Sequence, residues 1–427
     1  MKKDKQLNKL KKLDSKIKHK DFVMMKKRIK NSTSFSNVKE IDDEGLIYLK
    51  TGEVACLFEI QAIDLSLTSN QEKLMFFNML KVLYQIPNLN MKCYKLDEKL
   101  NLNANKENLE DKIEKFKNDE IKKSLLEEER RLIDDLESKD FTISSKYFWV
   151  LIAKDINLLN KQISEIEEIT SNIIPKINIE SITNKLEIYK FLSNLYITNN
   201  TLDELVWSDL PSLVSPMNIS ERIDKLVFDD KEHQILTVKN IAPFVNELFF
   251  EDIFNYPDVR ACISIKECIT QEELIRWVNR EYQFLLTDRS STKKLSDATE
   301  LDTQKENFQL LMNEIKNGDE KIKEVSLILI VSGEKKHRDE VIRDLKMIAN
   351  NYQIKLDTPR LRQMEAWQCY DISNKTFNDY VFYLPTMTLS AGFPFTKSYF
   401  NDSKGYMLGV DIHTSLPTFY DCITFNN

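Results

Sequence analysis

Apolar and polar positions divide the chain into short β-type runs and longer segments with helical spacing. The first two apolar runs are separated by Thr51 and Gly52, which predicts a β-hairpin. A helix is predicted next, because Ser69 and Glu72 form a capping-box pattern ahead of a periodic apolar segment. The run KYFWVLIAK over 146–154 has almost no polar residue before its end, which predicts a strand in the centre of a sheet.

Residues 104–138 combine high charge with apolar positions at helical spacing. The phase of these positions slips near Asn118, so the segment predicts a helical hairpin or two helices that project from the domain. The apolar positions are Leu109, Ile113, Phe116, Ile121, Leu125, Leu132, Ile133 and Leu136. Two interpretations stay open for this segment: an arm that contacts a partner, or a solvated helical insertion that packs on one side.

The same order of elements occurs twice along the chain. A helix over 156–173 and the strand INIESI complete a first half that reads β-β-α-β-(αα)-β-α-β, which resembles a split βαβ, ferredoxin-like plan with an insertion. The second half has the strands EHQILTVKNI and RACISIKECI, a helix that opens with Thr270 and Glu273, and charged helical sequence as far as Gly318. The strand EVSLILIVSG, a helix and the strand YQIKLD complete it. We therefore predict an α+β protein with two tandem ferredoxin-like lobes.

Each lobe carries a helical insertion, and a C-terminal β-hairpin follows the second lobe. Pro211 and Pro216 lie in an irregular bridge between the lobes. The predicted domains are a basic leader, partly helical or disordered, over 1–40; a first α/β lobe over 41–205 with the insertion 104–138; a second lobe over 206–376; and a β-rich segment over 377–427.

The composition indicates a folded globular protein. The chain has 427 residues with 42% apolar content, enough for a sizeable core. No apolar run approaches the roughly 18 residues that cross a bilayer, and the N-terminus lacks the apolar region of a secretory signal. Six scattered cysteines without a C-x-x-C pair suit a reducing cytosol. We expect a cytoplasmic protein.

The net charge of −7 hides a strong asymmetry. Residues 1–30 hold 13 Lys or Arg and three Asp, so the rest of the chain carries −17. Leu7, Leu10, Leu13 and Ile17 fall at helical spacing among the lysines, which favours a basic amphipathic helix on an anionic membrane face. The candidate contact residues are Lys2, Lys3, Lys5, Lys9, Lys11, Lys12, Lys16, Lys18, Lys20, Lys26, Lys27 and Arg28.

The leader also fits a disordered, solvated tail. Binding to nucleic-acid phosphates is a weaker interpretation, because no aromatic residue is interleaved with the lysines.

The sequence carries no recognisable catalytic, cofactor-binding or metal-binding motif. It has no G-x-x-x-x-G-K-[ST] phosphate loop. The nearest mimic, LILIVSGEKKHRDE, has only Gly333 between strand and helix, which favours a plain strand-to-helix turn. Ser332 near His337 lacks the glycine elbow of a nucleophile, and no histidine has a partner at zinc spacing. From the residues alone we expect a binding or scaffolding protein.

The last stretch, SAGFPFTKSYFNDSKGYMLGVDIHTSLPTFYDCITFNN, resembles the lead-in to the motor domain of the conjugation ATPases of type IV secretion, the TraE/TrsE/CagE/TrbE/VirB-type family. The matching positions are Phe393, Pro394, Phe395, Asp402, Gly405, Gly409, Pro417 and Asp421. The stretches SPMNISERID, VNREYQFLL, EVSLILIVSG and PRLRQMEAW stand in the order expected of the same family. The likeness covers roughly 40–427.

This resemblance implies the non-motor N-terminal docking and oligomerisation region of such an ATPase. The family's full-length form is a P-loop ATPase that uses ATP and Mg²⁺, but this sequence has no Walker A or Walker B motif. We therefore expect no enzyme activity from the chain as it stands. The implied partners are the inner-membrane conjugation machinery, a motor domain in cis or trans, and further copies of the chain, at the inner face of the cell membrane. The alternative is a free-standing cytoplasmic adaptor or nucleic-acid-binding protein that uses the basic leader.

Overall fold

The fold comes from a computed structural model. It describes residues 35–99, 102–138, 143–197, 215–241, 245–267 and 317–421, together with isolated positions between 276 and 315. Within these ranges it leaves out 64, 66–67, 217, 397–401, 403 and 412–415. The leader 1–30 with its basic residues, most of the bridge, and the Thr270–Glu273 helix start lie outside the described residues.

Fifteen strands and nine α-helices are described. The strands are β1 Val38–Ile41, β2 Ile47–Leu49, β3 Val54–Ile60, β4 Met91–Lys99, β5 Ile143–Ala153, β6 Ile179–Ser181, β7 Ile219–Glu221, β8 Leu226–Phe228, β9 Lys231–Ile241, β10 Val259–Glu267, β11 Ile322–Ser332, β12 Ile354–Asp357, β13 Phe382–Pro385, β14 Tyr406–Val410 and β15 Pro417–Tyr420. The helices are α1 Asn70–Tyr84, α2 Asn103–Lys115, α3 Glu120–Ser138, α4 Ile156–Asn172, α5 Lys185–Leu195, α6 Glu251–Phe254, α7 Lys335–Asn351, α8 Gln363–Tyr370 and α9 Thr386–Ala391.

Thirteen strands form one sheet, and β14 and β15 form a second, two-stranded sheet. The main order is β1-β2-β3-β5-β4-β10-β11-β9-β8-β7, with β6 beside β3, β12 beside β9 and β13 beside β11. The pairings are antiparallel, and β4 pairs with β10 from Lys95 opposite Ala261 to Met91 opposite Ile265. The α+β prediction is confirmed, and one continuous sheet contains strands from both halves of the chain.

Several local predictions are confirmed by the elements. Ser69 is the N-cap of α1, and its backbone N–H donates to Glu72 Oε2 at 2.8 Å while its hydroxyl accepts from the Glu72 backbone N–H at 3.3 Å. β5 lies between β3 and β4, in the interior of the sheet. The insertion consists of α2 and α3, which are separated at 116–119, where the phase of the apolar positions slips.

Helices cover the sheet on both faces. One apolar cluster contains Trp149 and Phe395 with residues of α1, α4, α6 and α7. A second cluster, on the other face, contains Trp367 and Phe35 with residues of α5 and α8. A third, smaller cluster lies between the helical insertion and the β14–β15 hairpin, around Phe419.

Two buried lysines of β4 strengthen the seam between the halves. Lys92 donates from Nζ to the backbone carbonyls of Asp371, at 2.5 Å, and Cys369. Lys95 donates to the carbonyls of Tyr256, at 2.8 Å, and Val259, at 2.9 Å. Burial lowers the pKa of both ammonium groups. Each lysine of the first half thus binds backbone of the second half, in addition to the β4–β10 ladder.

The segment 377–427 contributes to two places. Residues 377–396 pack into the main body, where β13 pairs with β11 and α9 contacts α1. The described residues of 402–421 form the β14–β15 hairpin. Gly409 of the family motif lies within β14 rather than in a turn, next to a register shift that follows Met407.

Candidate functional site

Phe393 and Pro394, the first residues of the lead-in motif, are anchored in the core of the main body. The Phe393 ring meets Phe76 of α1 edge-on at a centroid distance of 5.0 Å. The Pro394 carbonyl accepts a hydrogen bond from Asn255 Nδ2 at 2.7 Å. These contacts fix the point at which the chain leaves the body.

Asp402 closes the β14–β15 hairpin through its backbone and its side chain. Its carbonyl accepts from the Gly405 N–H at 2.9 Å, and its Oδ2 accepts from the Asp421 N–H at 3.2 Å. Gly405 is required by close approach, since a Cβ there would lie 2.5 Å from the backbone nitrogen of Tyr420. Pro417 is the first residue of β15, a position at which a strand tolerates proline.

The hairpin rests on the helical insertion. Phe419 is buried among Leu109, Leu126 and Ile133 of α2 and α3. Lys112 Nζ donates to the Lys404 carbonyl at 2.8 Å. The insertion is therefore packed on this side, and it joins the residues of the lead-in motif to the first half of the chain.

The opposite side of the insertion exposes apolar side chains. Ile121 and Leu125 are 76% and 62% exposed, although helical periodicity had placed both among the apolar face. Leu126, one position later, is buried instead. Ile121, Leu125 and Leu132 lie on one face of α3, so this helix exposes an apolar stripe to solvent. The periodicity predicted that such residues would be buried.

A second region with potential chemistry is a cavity of about 860 Å³ at the end of β9, β10 and β11 in the second half. His233, Arg260, Ser332, Gly333 and Lys335 are among its lining residues. His233 Nδ1 lies 2.8 Å from Ser332 Oγ. Ser332 thus contacts His233 and not the nearby His337, whose Nε2 lies 3.9 Å from Asp258 Oδ2.

His233 is a buried, neutral imidazole in a positive environment. It is only 1% exposed, and within the described part of the chain its Nε2 has no hydrogen-bond partner. Burial, followed by the charges of Arg260, Lys231 and Arg338, lowers the pKa of His233 to about 3. A group with this pKa is a poor general base at neutral pH.

The turn between β11 and α7 leaves the helix N-terminus without a side-chain cap. Gly333 has φ +118, a conformation that favours glycine, and Glu334 is the N-cap. Among the described residues no side chain caps the first amides of α7, and Glu334 forms no such bond. Arg338 is 2% exposed, donates to the Gly333 carbonyl at 2.6 Å and lies 2.8 Å from Glu232 Oε2. Arg338 thus fixes the turn through these two contacts. The residues at the uncapped start of α7, Glu334 and Lys335, line the cavity.

The described residues around His233 do not form a catalytic triad or a metal site. The Ser332–His233 contact uses Nδ1, and in the described residues no carboxylate bonds to the remaining ring nitrogen, so the geometry is not that of a catalytic triad. Of the residues that the structure describes, no three His, Cys, Asp or Glu side chains are grouped so that they could hold a metal ion.

His233 and Arg260 were not identified as site residues from the sequence. Both residues lie in β-type runs that contain buried apolar residues. A polar side chain within such a run is the signal that could have identified them. Their meeting depends on strand register, which brings position 233 opposite 332 and position 260 opposite 330.

None of the described helices is both long and apolar enough to cross a membrane.

Comparison of the chain with protein-family models gives no match. Comparison with curated proteins gives no significant match either. The resemblance to conjugation ATPases therefore stays a prediction that depends on the motifs.

Proposed function

We propose that each half of the chain is a split βαβ, ferredoxin-like unit and that the two units are joined edge to edge. In the first half β3-α1-β4-β5-α4-β6 has the spatial order β6-β3-β5-β4. In the second half β9-α6-β10-β11-α7-β12 has the order β12-β9-β11-β10. The same relative order in both halves supports a tandem repeat.

The proposed function is that of the non-motor docking and oligomerisation region of a conjugative transfer ATPase of type IV secretion. The observation that carries this proposal is the placement of the lead-in residues. Phe393 and Pro394 are fixed in the core, whereas Asp402, Gly405 and Asp421 form a separate hairpin on the insertion. A hairpin held outside the main sheet in this way can orient a domain that follows it.

Docking in this proposal uses two kinds of surface. The lysine-rich leader would bind the anionic inner face of the cell membrane, at about 1 kcal/mol per basic residue near the surface. The apolar stripe of α3 and the exposed face of β14, with Leu408 at 67% exposure, are surfaces for the secretion machinery, the motor or further copies of the chain.

The first test is enzymatic. The purified chain should hydrolyse no ATP above background, whereas the sequence encoded downstream of Asn427 should contain an in-frame G-x-[ST]-G-x-G-K-[ST] motif. A chain extended through that motif should hydrolyse ATP with Mg²⁺. Turnover by the unextended chain that survives further purification would contradict the proposal, and so would the lack of any such motif in cis or in a neighbouring reading frame.

The second test separates docking from the adaptor alternative. The full chain and a variant without residues 1–30 are sedimented with vesicles of anionic or of zwitterionic lipid. Only the full chain should sediment, only with anionic vesicles, and both proteins should melt at the same temperature. Tight DNA binding that weakens steeply with salt and is lost with the leader would favour the nucleic-acid-binding alternative instead.

A further inference from the structure

The cavity at the start of α7 has an uncapped helix N-terminus at one end. An N-terminus exposes backbone N–H groups without helical partners and carries partial positive charge. α7 is 17 residues long, and its N-cap Glu334 makes no side-chain capping bond within the described chain. This feature alone is common, and the side chains around it decide whether it forms a site.

Buried polar groups in the same cavity also lack partners. His233 lines the cavity and is almost fully buried, its Nδ1 is occupied by Ser332, and its Nε2 has no partner among the described atoms. Arg260 also lines the cavity and donates to the neutral Asn194 Oδ1 at 3.3 Å, but its Nε is buried without a described partner. Burying such donors costs free energy unless a ligand or water accepts from them.

The cavity is lined by six carboxylates, Glu334 at the start of α7 among them, and by the cations Lys231, Arg260 and Lys335. Three of the carboxylates are paired: Asp97 with Lys95 at 2.7 Å, Glu98 with Lys146 at 3.6 Å, and Glu232 with Lys225 at 2.6 Å and with Arg338. Arg260 and Lys335 form no ion pair with any residue that the structure describes. The donors of Arg260 and Lys335 are therefore not committed to a carboxylate of the described chain.

We propose that this cavity binds a phosphate group, held by the N-terminal amides of α7 together with His233, Arg260 and Lys335. Helix N-termini and arginine are the usual protein partners of phosphate oxygens. In this proposal the Ser332 hydroxyl donates to Nδ1, so that the hydrogen of the neutral His233 ring is on Nε2 and is donated to a phosphate oxygen. The volume of about 860 Å³ also accommodates the organic part of a phosphate ester.

In this proposal the Gly333 turn is part of a binding site. The local sequence favours a plain strand-to-helix connection, because it lacks the second glycine of a phosphate loop. The additional donors come from β9 and β10, which lie about 100 and 70 residues earlier in the chain and reach the turn only through the sheet register.

The test titrates the full chain with inorganic phosphate and, in a parallel arm, with a nucleoside monophosphate, both followed by calorimetry. Tighter binding of the ester would identify a ligand whose organic part occupies the cavity, and equal binding would identify free phosphate. NMR of ¹⁵N-labelled histidine gives a local readout, since the chain has only four histidines. Phosphate should shift the His233 Nε2 signal, and His233→Leu identifies that signal by its loss.

Three variants assign the binding to this site. Arg260→Gln should weaken it about tenfold or more, as expected for a hydrogen bond between charged groups. Lys335→Gln should weaken it about two- to fivefold, whereas Lys336→Gln, on the next residue of the same helix and outside the cavity lining, should not change it. Both lysines are exposed, so neither change threatens folding.

Glu334→Asp separates loss of the site from loss of the fold. The substitution keeps the negative charge but shortens the side chain to that of aspartate. Asp155 shows that aspartate can cap a helix in this protein, since it accepts from the Leu158 N–H of α4 at 2.9 Å. The new cap should compete with phosphate for the α7 amides and weaken binding about fivefold or more, without lowering the melting temperature. The proposal is overturned if millimolar phosphate gives neither saturable heat nor a His233 shift. It is also overturned if Arg260→Gln, Lys335→Gln and Glu334→Asp all bind phosphate as the parent does.

Discussion

The two halves of the molecule differ at the turn from their central strand into the following helix, in backbone conformation as well as in side chains. In the first half β5 leads to α4 through Lys154, and Asp155 caps the helix. The last ladder pair of β3 and β5 before this turn is Val54 and Ala153, which are both apolar and buried. At this corner the Asp155 side chain therefore satisfies the Leu158 N–H of the helix.

The corresponding corner of the second half is polar and incompletely satisfied within the described chain. The last ladder pair of β9 and β11 is His233 and Ser332, and Glu334 does not cap α7. A repeated backbone plan therefore does not repeat its chemistry. The copy that keeps buried donors without partners is the one in which a binding site is expected.

The largest expected difference between the corners is their response to acid. The pKa of folded His233, about 3, lies below its ordinary value of 6.5. As the pH falls below about 6.5, the unfolded chain binds this proton and the folded chain does not. The stability that neutral His233 contributes near pH 7 is therefore lost progressively as the pH falls from about 6.5 towards 3.

An apolar pair at positions 233 and 332 should remove this pH-dependent contribution to stability. In His233→Leu/Ser332→Ala, the free energy of unfolding should fall less between pH 7 and about pH 4.5 than in the parent, by about 2 kcal/mol. Denaturant unfolding at both pH values measures this difference. The control is His337→Gln, at a half-exposed histidine, which should behave as the parent. Equal acid sensitivity of the double variant and the parent would show that His233 titrates normally.

The next effect concerns the buried arginine that supports the second corner. Arg338→Met should lower the free energy of unfolding by about 2 kcal/mol, because the Gly333 carbonyl and Glu232 both lose a charged donor. Glu232 retains Lys225, which limits the loss. Urea unfolding is the measurement, and Arg343→Met on the exposed side of the same helix is the control, expected within about 0.5 kcal/mol of the parent. A loss no larger than that of the control would separate Arg338 from the stability of the turn.

The smallest effect compares the two helix caps directly. Asp155→Ala should destabilise the chain by about 1 kcal/mol, because α4 loses an N-cap that is formed. Glu334→Ala should have almost no effect, since there is no side-chain cap to lose in the described structure. Thermal unfolding of the two variants side by side checks the difference. Equal losses would mean that the two corners are capped alike.

Features that depend on local sequence could be predicted. The Ser69–Glu72 capping box, the position of β5 inside the sheet and the break between α2 and α3 each follow from residues that are close in sequence. The twofold order of elements could also be recognised, because each strand and helix has its own periodicity.

Features that depend on register or on distant packing could not. The cavity joins β4, β9, β10 and β11, and its key contact, between His233 and Ser332, spans 99 residues. Likewise, periodicity placed Ile121 and Leu125 on an apolar face, but the hairpin that packs on the insertion comes from almost 300 residues later and covers Leu126 instead. Which side of an amphipathic helix is buried depends on a partner that the local sequence does not contain.

The order of strands also limits how copies of the protein can join. The long strands β4 and β10 pair with each other, and the ends of the main order are β1 and β7, which have four and three residues. Such short edges offer few open backbone groups for another chain to extend the sheet. Among the described strands of the main sheet, contacts between copies would therefore use side-chain surfaces rather than strand pairing, and single substitutions can disrupt such surfaces without breaking a β-ladder.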